Sequence, residues 1–174
     1  GHEGNEKRIH TTIDMDRPLE EKANIRMLRR WQEVEKNETR WLEYFMDDAE
    51  YVVTGFGTAG RIALSAVRSA REAGLKVGLI RPTVLNPFPY AVYEKYSKQV
   101  KNMLVVEMNT GQMLEDVRKA AQGRIPVEFY GRMGGVMPLP DEVFAEIKRM
   151  VNEPQTTEGS PRDRWLDRLS AKVS

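Results

Sequence analysis

The sequence predicts an α/β fold, a three-layer sandwich in which helices cover both faces of a mostly parallel sheet, preceded by a long N-terminal helix. Three observations predict it. Short aliphatic or β-branched runs recur along the chain at Tyr51–Thr54, Val77–Ile80, Met103–Glu107 and Val127–Tyr130. Between them, apolar residues fall at helical spacing, as in Ile62, Ala63, Ala66, Val67 and Ala70. Glycine or proline stands at most junctions: Gly55, Gly57, Gly74, Pro82 and Gly131.

The elements follow in order. Residues 1–17 carry little apolar content and are expected to form an extended linker arm. Pro18 suits the first turn of a helix, where its missing N–H costs nothing. Ile25, Leu28, Trp31, Trp41, Leu42 and Phe45 keep a three-to-four spacing, which predicts one amphipathic helix over 18–47. Its charged face, including Glu20, Glu21, Arg29 and Arg30, reads as solvated. Residues 48–152 hold the alternating strands and helices of the α/β domain. Leu139-Pro140-Asp141-Glu142 opens a helix to about Val151, with acidic residues at its positive end. Residues 153–174 are a polar tail with room for one short helix, Arg162 to Leu169.

With 174 residues the chain is sized for one domain. A net charge of +1 gives no whole-molecule field for nucleic acid. No apolar run approaches the length of a membrane span, and the first eight residues have no secretory apolar core. The chain opens on Gly1 rather than methionine, so it is expected to belong to a longer polypeptide. It has no cysteine, hence no disulfide, thiol nucleophile or thiolate-bound cluster of its own. His2 and His10 lie in the polar leader without a helical register to join them, and no metal site is expected.

Three segments are candidates for a site. Gly55-Phe56-Gly57-Thr58-Ala59-Gly60 matches G-x-G-x-x-G after a strand and before a helix, the context of a dinucleotide turn. The second strand then ends in Arg81-Pro82, not in the acidic residue that holds a ribose. Two readings stay open: Gly55, Gly57 and Gly60 bind a cofactor, NADP being the form Arg81 suits, or they let the helix sit close on the strand. Glu107-Met108-Asn109-Thr110-Gly111-Gln112 follows the third strand, where Asn109 and Thr110 suit helix capping. Gly131-Arg132-Met133-Gly134-Gly135 follows the fourth, a pliable loop whose Arg132 is either a partner or anion contact or simply solvated. No Ser/His/Asp set or carboxylate pair can be assembled, so no catalytic residue is assigned.

These segments in this order resemble the third domain of transketolase-type enzymes, with Leu85-Asn86-Pro87-Phe88 in place of their Leu-x-Pro-Phe stretch. More narrowly, Glu107-x-Asn109-x-Gly111-Gln112 and Gly131-Arg132-x-Gly134-Gly135 resemble the alpha subunits of 2-oxoacid:ferredoxin oxidoreductases. Gly1-His2-Glu3 is similar to the start of the segment linking this domain to the preceding one in that family, although Gly4 to Arg8 then departs from its pattern. The resemblance implies a cytoplasmic parent enzyme that converts a 2-oxoacid (2-oxoglutarate, 2-oxoisovalerate or pyruvate) to an acyl-CoA and passes electrons to ferredoxin. It also implies that this domain binds no cofactor. Thiamine diphosphate and magnesium are expected on the beta subunit, and iron–sulfur clusters on other domains or subunits. Its partners would be the rest of the alpha subunit, the beta subunit and, through the assembly, ferredoxin-type subunits. The domain would act in assembly, with Leu28, Trp31 and Trp41 as a docking stripe on the long helix.

Overall fold

A computed structural model describes residues 3–9, 13 and 15–173; His2 and His10 lie outside them. The chain divides into two compact units, residues 1–38 and 39–174. The first contains helix α1 (Arg17–Glu38), begun by the Asp16 carbonyl accepting from Glu20 N–H at 3.0 Å. None of its residues is buried, and Leu19, Ile25, Met27, Leu28 and Trp31 stand exposed.

The helix expected over 18–47 therefore stops at Glu38. Trp41–Tyr44 instead forms a strand, β1. Trp41 thus leaves the proposed helical stripe, and Phe45 turns the chain with φ of 56°. The remaining elements fall close to their expected places. They are β2 (Tyr51–Gly55), α2 (Gly57–Glu72), β3 (Val77–Pro82), α3 (Tyr90–Tyr96), β4 (Asn102–Glu107), α4 (Gln112–Ala121), β5 (Val127–Gly131) and α5 (Pro140–Asn152). The tail is more ordered than its polarity suggests: α6 runs over Pro161–Val173.

Among the described residues the sheet has five strands in the order β1-β3-β2-β4-β5. Only β1 is antiparallel to its neighbour; Leu42 pairs with Arg81 and Glu43 with Ile80. All six residues of β4 are buried, as a central parallel strand covered on both faces requires. From β2 the chain crosses to β3 on one side, then returns past β2 to β4. Right-handed crossovers in opposite directions put α2 and α4 on opposite faces. α5 packs with α2, and α3 with α4. The Asn86–Pro87 peptide before α3 is cis. Phe88 then stacks on Tyr93 at 5.1 Å, and the Tyr93 hydroxyl meets Thr54 Oγ1 at 2.6 Å inside the core.

α6 lies along β5, the far edge of the sheet. Trp165 is only 2% exposed, and its Nε1 donates to the Gly131 carbonyl at 3.0 Å. Arg168 donates to the Phe129 carbonyl at 3.4 Å. Two outward backbone acceptors of the edge strand are thereby satisfied by side chains, one way in which a sheet edge is closed. Ion pairs fasten the same helix: Arg164 to the buried Glu128 at 2.8 Å, Arg162 to Glu115 at 2.8 Å and Lys172 to Glu142 at 2.6 Å.

Candidate functional site

The chain reverses direction in the sheet between β2 and β4, and open parallel sheets bind ligands at the carboxyl end of such a point. An open crevice of about 360 Å³ lies there, lined by Phe56, Thr58, Leu85, Met108, Gln112 and Asp116 among others. The three segments singled out in the sequence all sit at this end of the sheet.

The first is accounted for by helix–strand contact. A Cβ at Gly60 would run into the Gly55 carbonyl oxygen, and a Cβ at Gly55 would lie 3.0 Å from Gly60 N. The two glycines allow α2 to approach β2, while Gly57 opens the helix at φ of 57°, in the left-handed region. Arg81 reaches the same junction, its Cγ 3.1 Å from where a Gly60 Cβ would stand.

The second segment is a cap. Glu107, 6% exposed at the end of β4, accepts from Met113 N–H at 2.9 Å and Leu114 N–H at 3.0 Å. Asn109 Oδ1 accepts from Gly111 N–H at 2.7 Å and Gln112 N–H at 3.1 Å. Asn109 Nδ2 donates to Glu107 Oε1 at 3.1 Å, which ties the two acceptors together. Four backbone donors at the start of α4 thus find partners within the chain. The place where an external anion would sit is filled by the protein's own carboxylate. Gly111, at φ of 98°, makes the turn between them. Its carbonyl accepts from Arg162 of α6 at 3.0 Å. Thr110 and Gln112 are exposed beside the cap.

The third segment abuts the second. Arg132 N–H donates to the Glu107 carbonyl at 3.2 Å, and its guanidinium pairs with Glu142 of α5 at 3.2 Å. Both of these side chains are largely shielded, so Arg132 is committed within the fold rather than solvated. Gly134 and Gly135 take φ of 66° and 85°, which keeps the loop short without β-carbons. Sequence reasoning found Glu107, Asn109 and Arg132 but missed Arg162 and Trp165, which sit in the tail. Their i, i+3 spacing, repeated at Arg168, is the signal that could have found them.

The cofactors that the resemblance places on other domains or subunits do not fit the described residues. The sequence offers no thiolate for an iron–sulfur cluster. Among the described residues no three histidine, cysteine or carboxylate side chains gather as a metal site. The start of α4 is closed to a diphosphate by Glu107.

Around the crevice the surface is apolar. Phe56, Leu85 and Met108 line the crevice and are exposed, and Met133, Val136, Met137 and Leu139 are exposed in the segment after β5, at the same end of the sheet. A patch of this kind marks a protein contact more often than a polar small-molecule site.

Sheet order, cap and glycine contacts define an α/β domain of the transketolase C-terminal type. The chain belongs to the pyruvate:ferredoxin oxidoreductase core domain II family, whose description matches residues 49–143. The ketoisovalerate oxidoreductase subunit VorB of Methanothermobacter marburgensis is 37% identical over 147 residues, 84% of this chain and 42% of that protein. The chain therefore spans less than half the length of the curated VorB relatives. Two solved structures share the fold. The 2-oxoglutarate:ferredoxin oxidoreductase from Magnetococcus marinus, with 2-oxoglutarate, coenzyme A and succinyl-CoA bound, superposes with a TM-score of 0.70 at 20% identity. That match covers 80% of this chain and 24% of that one. A split-gene transketolase in an inactive β4 tetramer gives 0.53 at 14% identity, over 63% and 40%.

Proposed function

We propose that this chain is the second core domain of the alpha-type subunit of a thiamine-diphosphate-dependent 2-oxoacid:ferredoxin oxidoreductase, and that its own work is assembly. The parent reaction on this reading is oxidative decarboxylation of a 2-oxoacid to an acyl-CoA in the cytoplasm, with electrons leaving to ferredoxin. One observation carries the assembly role. The carboxyl end of the sheet is plugged by Glu107 and ringed by exposed apolar side chains, where a ligand-binding domain would present free donors and charge. The occupants proposed for that surface are the rest of the alpha subunit and the thiamine-binding beta subunit. Thiamine diphosphate supplies the carbanion chemistry when bound elsewhere. This chain's groups orient its own loops and exclude water from the contact.

The test has two arms. Thermal melts with NAD, NADP, coenzyme A and thiamine diphosphate plus magnesium are expected to show no shift. A ligand bound at a hundredfold excess over its Kd would add about 2.7 kcal/mol. Phe56→Asp and Met108→Asp, placed in the full enzyme, are expected to weaken association of the subunits while the isolated chain melts as before. A clear shift with NADP would overturn the assembly reading in favour of a working cofactor turn at Gly55, Gly57 and Gly60.

A further inference from the structure

The two edges of the sheet are treated differently. β5 is closed by Trp165 and Arg168, whereas among the described residues β1 has a ladder partner on one side only. The Arg40 carbonyl accepts from Thr83 N–H at 3.0 Å, so Arg40 points its backbone groups inward to β3. Backbone direction alternates along a strand. Leu42 therefore also points its groups inward, and Trp41 and Glu43 point theirs outward, away from the sheet. Natural edges are commonly guarded by lysine, proline or a bulge. Here the strand reads Trp41-Leu42-Glu43-Tyr44, with Trp41 37% and Leu42 44% exposed.

This strand is complementary to itself. We propose that β1 pairs antiparallel with β1 of a second copy of this chain, with the two-fold axis passing at Leu42. In that register Trp41 faces Glu43 of the other copy, twice. Each such pair exchanges both of its outward N–H and C=O groups, which makes four hydrogen bonds from the two donors that each of the two edges presents. Leu42 meets its own equivalent as a close non-hydrogen-bonded pair, where side chains approach most nearly. The side chains agree with the backbone. Trp41 Nε1 already donates to Glu43 Oε1 at 2.8 Å along one face, and the same donor and acceptor come face to face across the pair. Moving the register by one residue would set outward-pointing groups against inward-pointing ones. Moving it by two in the direction that centres on Glu43 would oppose like charges. A strand of unrelated sequence gains the backbone bonds but neither the leucine pair nor the indole–carboxylate match. The occupant is therefore a second copy, and the result is one sheet running through two chains.

The absence of cysteine makes the register directly readable. Leu42→Cys would carry the protein's only thiol. Directly opposed residues of a non-hydrogen-bonded pair lie about 4.5 Å apart at Cα, within reach of a disulfide. Under mild oxidation Leu42→Cys is expected to give a covalent dimer, while Glu43→Cys, which faces Trp41, stays a free thiol. Sedimentation of the 174-residue chain is expected to read twice 20.0 kDa. Trp41→Pro removes one outward N–H and no inward one, and is expected to return the mass to 20.0 kDa with a native melt. A wild-type chain that stays at 20.0 kDa across concentration would overturn the proposal. So would a dimer in which Leu42→Cys and Glu43→Cys cross-link equally. If Trp41→Pro does not fold, the cross-linking comparison still decides.

Discussion

Gly131 presses against Asn109 so closely that a β-carbon at residue 131 would stand 2.6 Å from the Asn109 carbonyl oxygen. The loops that follow β4 and β5 are thus in contact. Phe129 closes the same space, with ring atoms at 2.7 and 2.9 Å from that imagined carbon. Gly131→Ala must push a backbone carbonyl and a buried ring apart. Overpacking of this kind costs about 1–3 kcal/mol. A urea titration is expected to show a lower midpoint with an unchanged slope.

Glu107 serves two buried backbone donors. In Glu107→Ala, Met113 N–H and Leu114 N–H lose their acceptors, at a cost of about 1–3 kcal/mol for each buried group left unpaired. Glu107→Gln retains an acceptor oxygen and is expected to fall between wild type and alanine. Hydrogen exchange at residues 113 and 114 separates local fraying of α4 from global loss of stability.

Trp165 holds α6 to the sheet edge by an edge-to-face contact with Phe129 at 4.9 Å and by its bond to Gly131. Trp165→Ala is expected to cost about 3–5 kcal/mol. Trp165→Phe keeps most of the apolar area but loses the bond, and about 1 kcal/mol is expected. Limited proteolysis near Ser160 reports whether the helix has come away.

Burial disfavours the Glu142 carboxylate, but Lys172 and the Leu139 N–H, which it accepts at 3.1 Å, outweigh this and hold its carboxyl down at about 2. In the unfolded chain the group keeps its ordinary value near 4.5. Between those values the unfolded state binds the proton and the folded state does not. The stabilisation is therefore full at neutral pH and fades as pH falls from 4.5 toward 2. Melting temperatures of wild type and Glu142→Gln are expected to differ at pH 7 and to converge in that range.

The parallel strands were legible because their residues are buried on both faces and read as unbroken apolar runs. β1 was not. Trp41, Leu42 and Phe45 happen to continue the spacing set by Ile25, Leu28 and Trp31, and Asn37-Glu38-Thr39-Arg40 offers neither glycine nor proline to mark a stop. Four residues are also too few for alternation to declare itself. The tail misled for a different reason. Arg162, Arg164 and Arg168 look solvated in sequence, yet Glu115, Glu128 and Glu146 await them on elements that precede α6 in the chain. The capping role of Asn109 could be read locally. The reach of Glu107 past it to Met113 and Leu114 could not, since it depends on how β4 delivers its last side chain to the next helix.

The closure of β5 by α6 gives the sheet a terminus. Strand addition along β1 meets a sealed border on the far side of each copy, so growth stops after one event. Stacking without limit, the route from an open edge to a fibril, is denied to this fold by two side chains of its last helix.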